Sequence, residues 1–169
     1  MAKRKIEHAE LLRVLDYNPE TGAFTWKVRL CKKYKLGAVA GSPHCKGYWI
    51  IRIHGVGYLA HRLAWFYVHA VWPPITIDHW DLNKRNNAIG NLRNATIPEN
   101  HYNIPKQANN SSGFKGVYFD KREQKFIARC NVEKKTHRLG AFDTAEKASE
   151  AYVNFATVHH REFANVVRT

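Results

Sequence analysis

Cysteine is scarce in this sequence, and the three that occur, Cys31, Cys45 and Cys130, include no C-x-x-C pair. An odd number of cysteines at these spacings indicates neither a disulfide framework nor a cysteine-built zinc site. Long hydrophobic runs are lacking as well, since the run from Leu63 to Trp72 is far shorter than the ~20 residues of a membrane span. We therefore expect free thiols, no structural zinc and no membrane segment. The first residues are basic and lead into no apolar run, so we also expect no signal peptide.

Acidic side chains are also few: 14 Asp and Glu stand against 27 Lys and Arg, which gives a formal net charge of +13 over 169 residues. Because 44% of the residues are hydrophobic, the chain can bury a core, and wholesale disorder is excluded. A strongly basic folded protein indicates a polyanionic partner, most often nucleic acid. Composition alone leaves a merely solubilising basic surface open as the alternative.

The first seventy residues show short helical and strand patterns separated by turns. These patterns predict a helix over Glu7–Leu15, a strand over Ala23–Val28, a hairpin within Gly47–Ala60 and a helix over His61–His69. Large apolar side chains at helical spacing usually fill a domain interior, so we expect Leu63, Trp65, Phe66 and Tyr67 in the core.

The last third of the chain predicts a separate small lobe. A polar, Gly- and Pro-bearing stretch from Ile104 to Gly113 indicates a linker before it. Alternation predicts three strands, Gly116–Phe119, Lys125–Asn131 and Thr136–Gly140, and then a helix from Ala145 to about His159, with Asp143 as its N-cap and Glu146 as the third helical residue. In the middle strand we expect Phe126, Ala128 and Cys130 to point inward, and Ile127, Arg129 and Asn131 to point outward.

A polar constellation lies between the two predicted lobes. Asp78 and His79 end a short strand, an Asn-rich loop follows, and a helix starting near Asn91 is predicted to carry Asn100. Carboxylate and amide oxygens are the ligands that Mg²⁺ prefers, and an imidazole titrates near neutral pH. Such a set beside a basic surface fits metal-dependent hydrolysis of a phosphodiester, although an Asp-His dipeptide and an Asn-rich loop are also ordinary strand ends and turns.

Residues 58–104 closely resemble the HNH endonucleases, especially the phage and intron-encoded homing type. The resemblance rests on Ala60–Trp65, Ile77-Asp78-His79, Asn86-Asn87 and Asn91–Thr96, and on the spacings of 12 residues from His79 to Asn91 and 9 residues from Asn91 to Asn100. It implies a ββα-metal fold in which His79 is the general base, Asp78 and Asn100 hold Mg²⁺ or Mn²⁺, and Asn91 braces the loop and the histidine.

The third position of the motif departs from the pattern that names the family, because it is Asn100 rather than His. The homing branch includes such His-Asn-Asn versions, so this difference does not argue against activity. Zinc-knuckle cysteines of other branches are missing, so we expect Trp80, Leu82, Ile89 and Leu92 to supply packing instead. His61 and His101 are assigned structural roles, because single histidines beside a helix are more often structural.

Residues 112–167 resemble the APETALA-two (ethylene-response-factor) DNA-binding domain. The resemblance rests on Ser112–Val117, Phe126–Arg129 and Leu139–Ala148. It implies that a sheet face contacts DNA through Lys115, Tyr118, Arg122, Arg129, Asn131, Thr136 and Arg138. Several of these residues differ from the plant pattern: Tyr118 stands where Arg is usual, Arg122 and Arg138 replace tryptophans, and Arg129 replaces Glu. The target sequence therefore cannot be transferred from the plant domains.

Together these observations predict an α+β protein: a ββα-metal HNH nuclease lobe plus a small three-stranded antiparallel sheet packed on one helix. The expected parts are an N-terminal leader and hairpin region (1–57), the nuclease core (58–104), a linker (105–112) and the DNA-binding domain (113–169). The expected function is metal-dependent endonucleolytic cleavage of double-stranded DNA by a monomer in the cytoplasm of a bacterial host. A non-catalytic DNA-binding regulator with a degenerate nuclease fold is the alternative, and an RNA-binding protein is disfavoured because the large aromatics occupy core-like positions.

Overall fold

The chain forms two compact units, residues 1–96 and residues 97–169, in the computed structural model. The structure describes residues 5–104, 106, 109–133, 135–160, 163 and 164. The division falls eight residues before the predicted linker, of which residues 105, 107 and 108 lie outside the described set. Within the described residues no helix is long and apolar enough to cross a bilayer.

The first unit combines two helices with three small antiparallel sheets, β1–β2, β3–β4–β5 and β6–β7. Its elements are α1 (His8–Val14), β1 (Leu15–Tyr17), β2 (Phe24–Trp26), β3 (Ser42–Pro43), β4 (Trp49–Ile53), β5 (Val56–Leu59), α2 (Ala60–His69), β6 (Thr76–His79), a 3-10 turn (Ile89–Asn91) and β7 (Leu92–Ala95). The predicted hairpin and both predicted helices of the first seventy residues are confirmed.

One hydrophobic core serves the whole first unit. Leu11 of α1, Ile51 of β4 and Leu63 of α2 are fully buried in the same cluster as Ile77 of β6 and Leu92 of β7. Phe66 is buried as predicted, whereas Trp65 and Tyr67 are half-buried against the cluster. The N-terminal segment therefore shares its core with the residues that carry the polar constellation.

The structure corrects the prediction of a helix starting near Asn91. Leu92–Ala95 is strand β7, which pairs antiparallel with β6, with Asp78 opposite Arg93 and His79 opposite Leu92. The helix, α3 (Ile97–Tyr102), begins only afterwards, with Pro98 in its first turn, where a missing N–H costs nothing. The spacing of Leu92 and Ala95, three residues apart, is helical, but pairing with the edge of β6 makes this segment a strand. Asn91 and Asn100 are therefore not on one helix.

The second unit is a three-stranded antiparallel sheet in the order β10–β9–β8 with one long helix against it. After α3 its elements are β8 (Val117–Asp120), β9 (Lys125–Val132), β10 (Lys135–Phe142) and α4 (Ala145–His160). Ala128 and Cys130 of β9 pack in buried clusters with Ala148, Tyr152 and Ala156 of α4. This confirms the predicted arrangement of three strands and one helix.

Two details of the second unit differ from prediction. Ile127, expected on the open face of the sheet, is 1% exposed. The N-cap of α4 is Thr144, whose Oγ1 accepts a hydrogen bond from the backbone N–H of Lys147 at 3.3 Å. Asp143, the predicted cap, pairs instead with the ammonium of Lys125, because β9 brings a cation within reach of its carboxylate.

Candidate functional site

His79 lies at the end of β6 and is almost fully buried. Its side chain is 5% exposed, and its Nε2 lies 3.5 Å from the amide oxygen of Asn87. Burial lowers the pKa of His79 below the usual value of an imidazole, although the contact with Asn87 and the nearby carboxylates act in the opposite direction. The imidazole is therefore held neutral, in the form that accepts a proton.

The Asn-rich loop between β6 and β7 is fixed by a hydrogen-bond network around Asp81 and Asn91. The Asn91 amide donates to Asp81 Oδ1 at 2.9 Å and to the Asn86 carbonyl at 2.8 Å, while its oxygen accepts from the Asp81 backbone N–H at 3.0 Å. The Asn86 amide donates to the second Asp81 oxygen at 2.7 Å. Although burial raises the pKa of Asp81, these donors lower it overall, so the carboxylate stays ionised and holds the loop.

The N-terminal hairpin β1–β2 supports the same loop from outside. The Tyr17 hydroxyl donates to the Asn87 carbonyl at 2.8 Å, and the Ile89 N–H donates to the Pro19 carbonyl at 3.0 Å. Gly22, at φ +72°, lies so close that a Cβ on it would be 2.3 Å from the backbone of Asn87 and Ala88. The sequence pointed to Asn86-Asn87 as part of a motif, but it gave no sign that the hairpin would position Asn87 beside His79.

Asp78 forms a buried ion pair with its cross-strand neighbour Arg93. Arg93 Nε and a terminal guanidinium nitrogen donate to Asp78 Oδ2 at 2.8 and 2.7 Å. The guanidinium also lies 4.6 Å from the ring centroid of Trp80, which is 46% exposed. Trp80 therefore covers Arg93 at the surface and is not the core residue that the sequence predicted.

His61 of α2 is a second buried imidazole beside His79. Their ring centroids are 5.1 Å apart in an edge-to-face arrangement, and the ring of Tyr48 lies 5.1 Å from His61. His61 Nδ1 is buried without a hydrogen-bond partner among the described residues. Burial, with smaller contributions from His79 and Arg62, lowers the pKa of His61 to about 3. His101, the other histidine weighed from sequence, is exposed on α3 in the second unit.

The buried His61 predicts that the first unit loses stability in acid. Its folded-state pKa of about 3 lies below the ordinary 6.5, so below pH 6.5 the unfolded chain binds a proton that the folded chain does not. The free energy of unfolding therefore keeps its full value above pH 6.5 and decreases from pH 6.5 toward pH 3. By pH 5 it should have fallen by about 2 kcal/mol. Urea unfolding followed by tryptophan fluorescence at pH 7 and pH 5 measures this loss.

In His61→Phe this pH dependence should shrink by the same amount, because the titrating group is gone. His69→Phe is the matched control, since His69 is exposed on the same helix, and it should behave as the wild type. An equal loss in His61→Phe and wild type would contradict the assignment.

The two predicted metal ligands belong to different units. Asp78 is 4% exposed in the first unit, and Asn100 is half-buried on α3 in the second. Among the described residues, no group of three or more His, Cys, Asp or Glu side chains is placed to hold a metal ion. A carboxylate and an amide oxygen nevertheless match the hard-oxygen preference of Mg²⁺, which commonly takes only one or two protein carboxylates. The Asp78 carboxylate therefore suits Mg²⁺ or Mn²⁺ by its chemistry, and in the folded chain it is already paired with Arg93.

Five of the seven residues predicted to contact DNA lie on one face of the β8–β9–β10 sheet. Arg129 pairs in register with Arg138, and Asn131 pairs with Thr136. The Arg129 guanidinium lies 4.8 Å from the ring centroid of Tyr118, on the neighbouring strand. All five side chains are exposed. Helix α4 packs on the opposite face of the sheet, so within the second unit α4 leaves these five side chains uncovered.

Several of these side chains already have partners that the sequence did not reveal. Arg138 donates twice to the carboxylate of Glu123, at 2.5 and 2.7 Å, and the Thr136 hydroxyl donates to Asn131 Oδ1 at 2.7 Å. The other two predicted residues lie off the face. Arg122 is in the β8–β9 turn, and the half-buried Lys115 precedes β8, where its ammonium donates to the Tyr102 carbonyl at 2.7 Å.

Comparison with known proteins defines the class of the first unit. Residues 58–102 match the family model described as HNH endonuclease, a range that contains Asp78, His79, Asn87, Asn91 and Asn100. The chain thus carries an HNH endonuclease domain over these residues.

A phage protein matches a longer part of the chain than the family model does. The chain is 32% identical over 83 residues to Protein 3.8 of Escherichia phage T7, an alignment that covers 49% of this chain and 69% of that protein. The chain belongs to the same family as this phage protein, whose name states no activity. No solved structure gave a significant match.

Proposed function

We propose that this protein is a metal-dependent endonuclease that hydrolyses phosphodiester bonds of double-stranded DNA. The observation that carries the proposal is the placement of His79: a buried neutral imidazole at a strand end, beside Asn87, on a loop fixed by Asp81 and Asn91. A loop held at this many points keeps a catalytic group in one orientation, as catalysis by positioning requires.

In this proposal His79 is the general base. The neutral imidazole, whose Nε2 lies 3.5 Å from the Asn87 amide oxygen, takes a proton from the attacking water. Asn91 takes no part in the proton transfer; it is a positioning residue that fixes the loop through Asp81 and Asn86. Asp78 is the residue of the first unit that would hold Mg²⁺ or Mn²⁺, which supplies charge stabilisation at the phosphate when bound. No structural zinc is proposed, because the three cysteines include no C-x-x-C pair.

Plasmid cleavage tests the proposal directly. Supercoiled DNA that carries the natural flanking sequence should be nicked or linearised in the presence of Mg²⁺ and left intact with a chelator. Intact plasmid under both conditions, with folded protein, would remove the catalytic assignment.

A non-catalytic DNA-binding protein is the second candidate, and one observation favours it. Asp78 is already neutralised by Arg93 within the folded protein, so a metal ion must share its carboxylate. The two candidates differ in metal binding, because a ligand that binds only the folded state raises the melting temperature.

We expect Mg²⁺ or Mn²⁺ to raise the melting temperature of the wild type and not that of Asp78→Ala. Differential scanning calorimetry with and without the metal measures this. Asp78→Ala should also be about 1–3 kcal/mol less stable, because the half-buried Arg93 loses this carboxylate. Asp16→Ala, an exposed carboxylate of the same unit, is the control. An equal metal response in Asp78→Ala would move the metal site elsewhere.

We further propose that the second unit is an APETALA-two-like module that positions the DNA. The exposed face with Tyr118, Arg129 and Asn131 can contact phosphates for affinity and base edges for sequence. Tethering this module to the nuclease raises the effective concentration of the catalytic unit at the chosen site.

Changing Arg129 and Arg138 together to alanine should weaken DNA binding and flatten its salt dependence. Each lost phosphate contact lowers the slope of log K against log salt by about 1. We expect most of the effect from Arg129, because Arg138 is paired with Glu123. Lys147→Ala, on the helix packed against the other face, should leave the slope unchanged. An unchanged slope in the double variant would place the DNA surface elsewhere.

A further inference from the structure

The second unit contains a cavity of about 690 Å³, whose wall includes part of the proposed DNA-contacting face. It lies between the segment that begins with α3 and the end of the sheet where β8 and β9 meet. Its wall includes Tyr102, Lys115, Tyr118, Arg129 and Asn131. The volume is in the range of sites that enclose a small organic ligand.

The charge of the wall is entirely of one sign. Lys106, Lys115 and Arg129 line the cavity, and none of the described lining residues is an Asp or Glu. The contacts of these cations within the unit are to neutral groups: Lys106 donates to the Gly113 carbonyl, Lys115 donates to the Tyr102 carbonyl, and Arg129 lies over the Tyr118 ring. Such a cavity attracts an anion, because no carboxylate among its described wall residues balances the positive charge.

Lys115 is the cation of this wall whose charged form is most disfavoured by burial. It is half-buried, and this burial lowers the pKa of its ammonium to about 8. A bound anion would restore the favourable environment that the ammonium loses on leaving water, so Lys115 is the natural contact for a phosphate.

The rest of the wall suits a flat, partly apolar group. Tyr102 stacks on His160 with ring centroids 3.7 Å apart and an interplanar angle of 5°, which fixes one side of the cavity. Tyr118 and Tyr152 add further aromatic surface. The Asn131 amide, whose oxygen accepts a hydrogen bond from the Thr136 hydroxyl, can donate through its nitrogen. A bare inorganic anion would leave these surfaces unused, whereas a base can stack on tyrosine and bond to this amide.

We propose that this cavity binds a nucleotide, with the phosphate at Lys115 and Arg129 and the base beside the tyrosine side chains and Asn131. The nucleotide is either a free mononucleotide or an unpaired nucleotide of a DNA strand, since both present the same chemistry. The inference goes beyond the nuclease function and does not require it.

Calorimetric titration of the full chain with thymidine 5′-monophosphate tests the proposal, with thymidine and inorganic phosphate as part-ligands. The mononucleotide should bind at least about tenfold more tightly than either part, because it uses both halves of the cavity. Lys115→Gln and Arg129→Gln should each weaken its binding about tenfold or more. Lys121→Gln removes the same charge from the exposed β8–β9 turn, outside the cavity wall, and should bind as the wild type does.

Competition identifies the source of the nucleotide. A short duplex with one unpaired nucleotide should displace the mononucleotide better than the fully paired duplex if the ligand comes from a strand, and equally if it is a free metabolite. Phosphate alone binding as tightly as the mononucleotide, or an equal loss in Lys121→Gln, would overturn the proposal. Because nucleotide binding is measured without cleavage, an inactive nuclease would leave this result intact, and an active nuclease without nucleotide binding would refute this inference alone.

Discussion

Replacing His79 with alanine is expected to lower the rate of plasmid cleavage by a factor of about 10²–10⁴ while leaving DNA binding unchanged. The range is that of losing one positioned general base. Binding should persist because the proposed DNA-contacting face lies in the second unit, on strands β8 to β10. Cleavage is measured on supercoiled plasmid with Mg²⁺, and binding is measured on the same DNA with a chelator.

The control for this variant is His69→Ala, which removes an exposed imidazole from α2. It should cleave at the wild-type rate. His79→Asn is a second test, because it keeps a polar side chain of similar position and cannot serve as a base near neutral pH. Wild-type turnover by either His79 variant would remove the general-base role, and loss of DNA binding would show that the substitution acts on folding rather than on catalysis.

Gly22→Ala is expected to destabilise the first unit strongly and to reduce cleavage. Gly22 adopts φ +72°, which costs a residue with a side chain about 1–2 kcal/mol. A Cβ there would also be 2.3 Å from backbone atoms of Asn87 and Ala88, so the hairpin or the loop must move. The displacement adds about 1–3 kcal/mol and shifts Asn87, which contacts His79.

Gly37→Ala separates the two causes, because Gly37 has the same φ of +72° and nothing within 4 Å of the added Cβ. It should show the backbone cost alone and cleave at the wild-type rate. All five tryptophans lie in residues 26–80 of the first unit, so tryptophan fluorescence during urea unfolding reports on this unit. Equal stability and activity in the two variants would mean that the hairpin does not support the loop.

The regular elements were predictable wherever one local pattern had a single interpretation. The hairpin of β4 and β5, the helix α2 and the three strands with α4 follow from alternation and helical spacing, and the structure has them. Leu92–Ala95 was wrongly predicted as helix because the three-residue spacing of its apolar residues is helical. The choice was made by the hydrogen-bonding edge of β6, which lies fourteen residues earlier in the chain at Asp78 and which no local pattern includes.

The contacts between side chains in the candidate site were less predictable than the helices and strands, because they depend on tertiary structure. The sequence indicated Asp78, His79 and Asn91 as polar residues at a motif spacing. It gave no sign that Arg93 would neutralise Asp78, that Asn87 would contact the imidazole, or that His61 would lie buried beside it. These contacts join residues 8 to 18 positions apart, on elements brought together by the common core.

By itself the sequence determined the basic charge, the free thiols, the family of residues 58–102 and most helices and strands, because each is set by composition or by neighbours along the chain. Only the tertiary structure decided which hairpin supports the Asn-rich loop, which carboxylate is already paired and which imidazoles are kept neutral. The physical reason is that burial and charge pairing depend on what packs around a group, and in this protein the groups around His79 come from α2, from β7 and from the N-terminal hairpin that supports its loop.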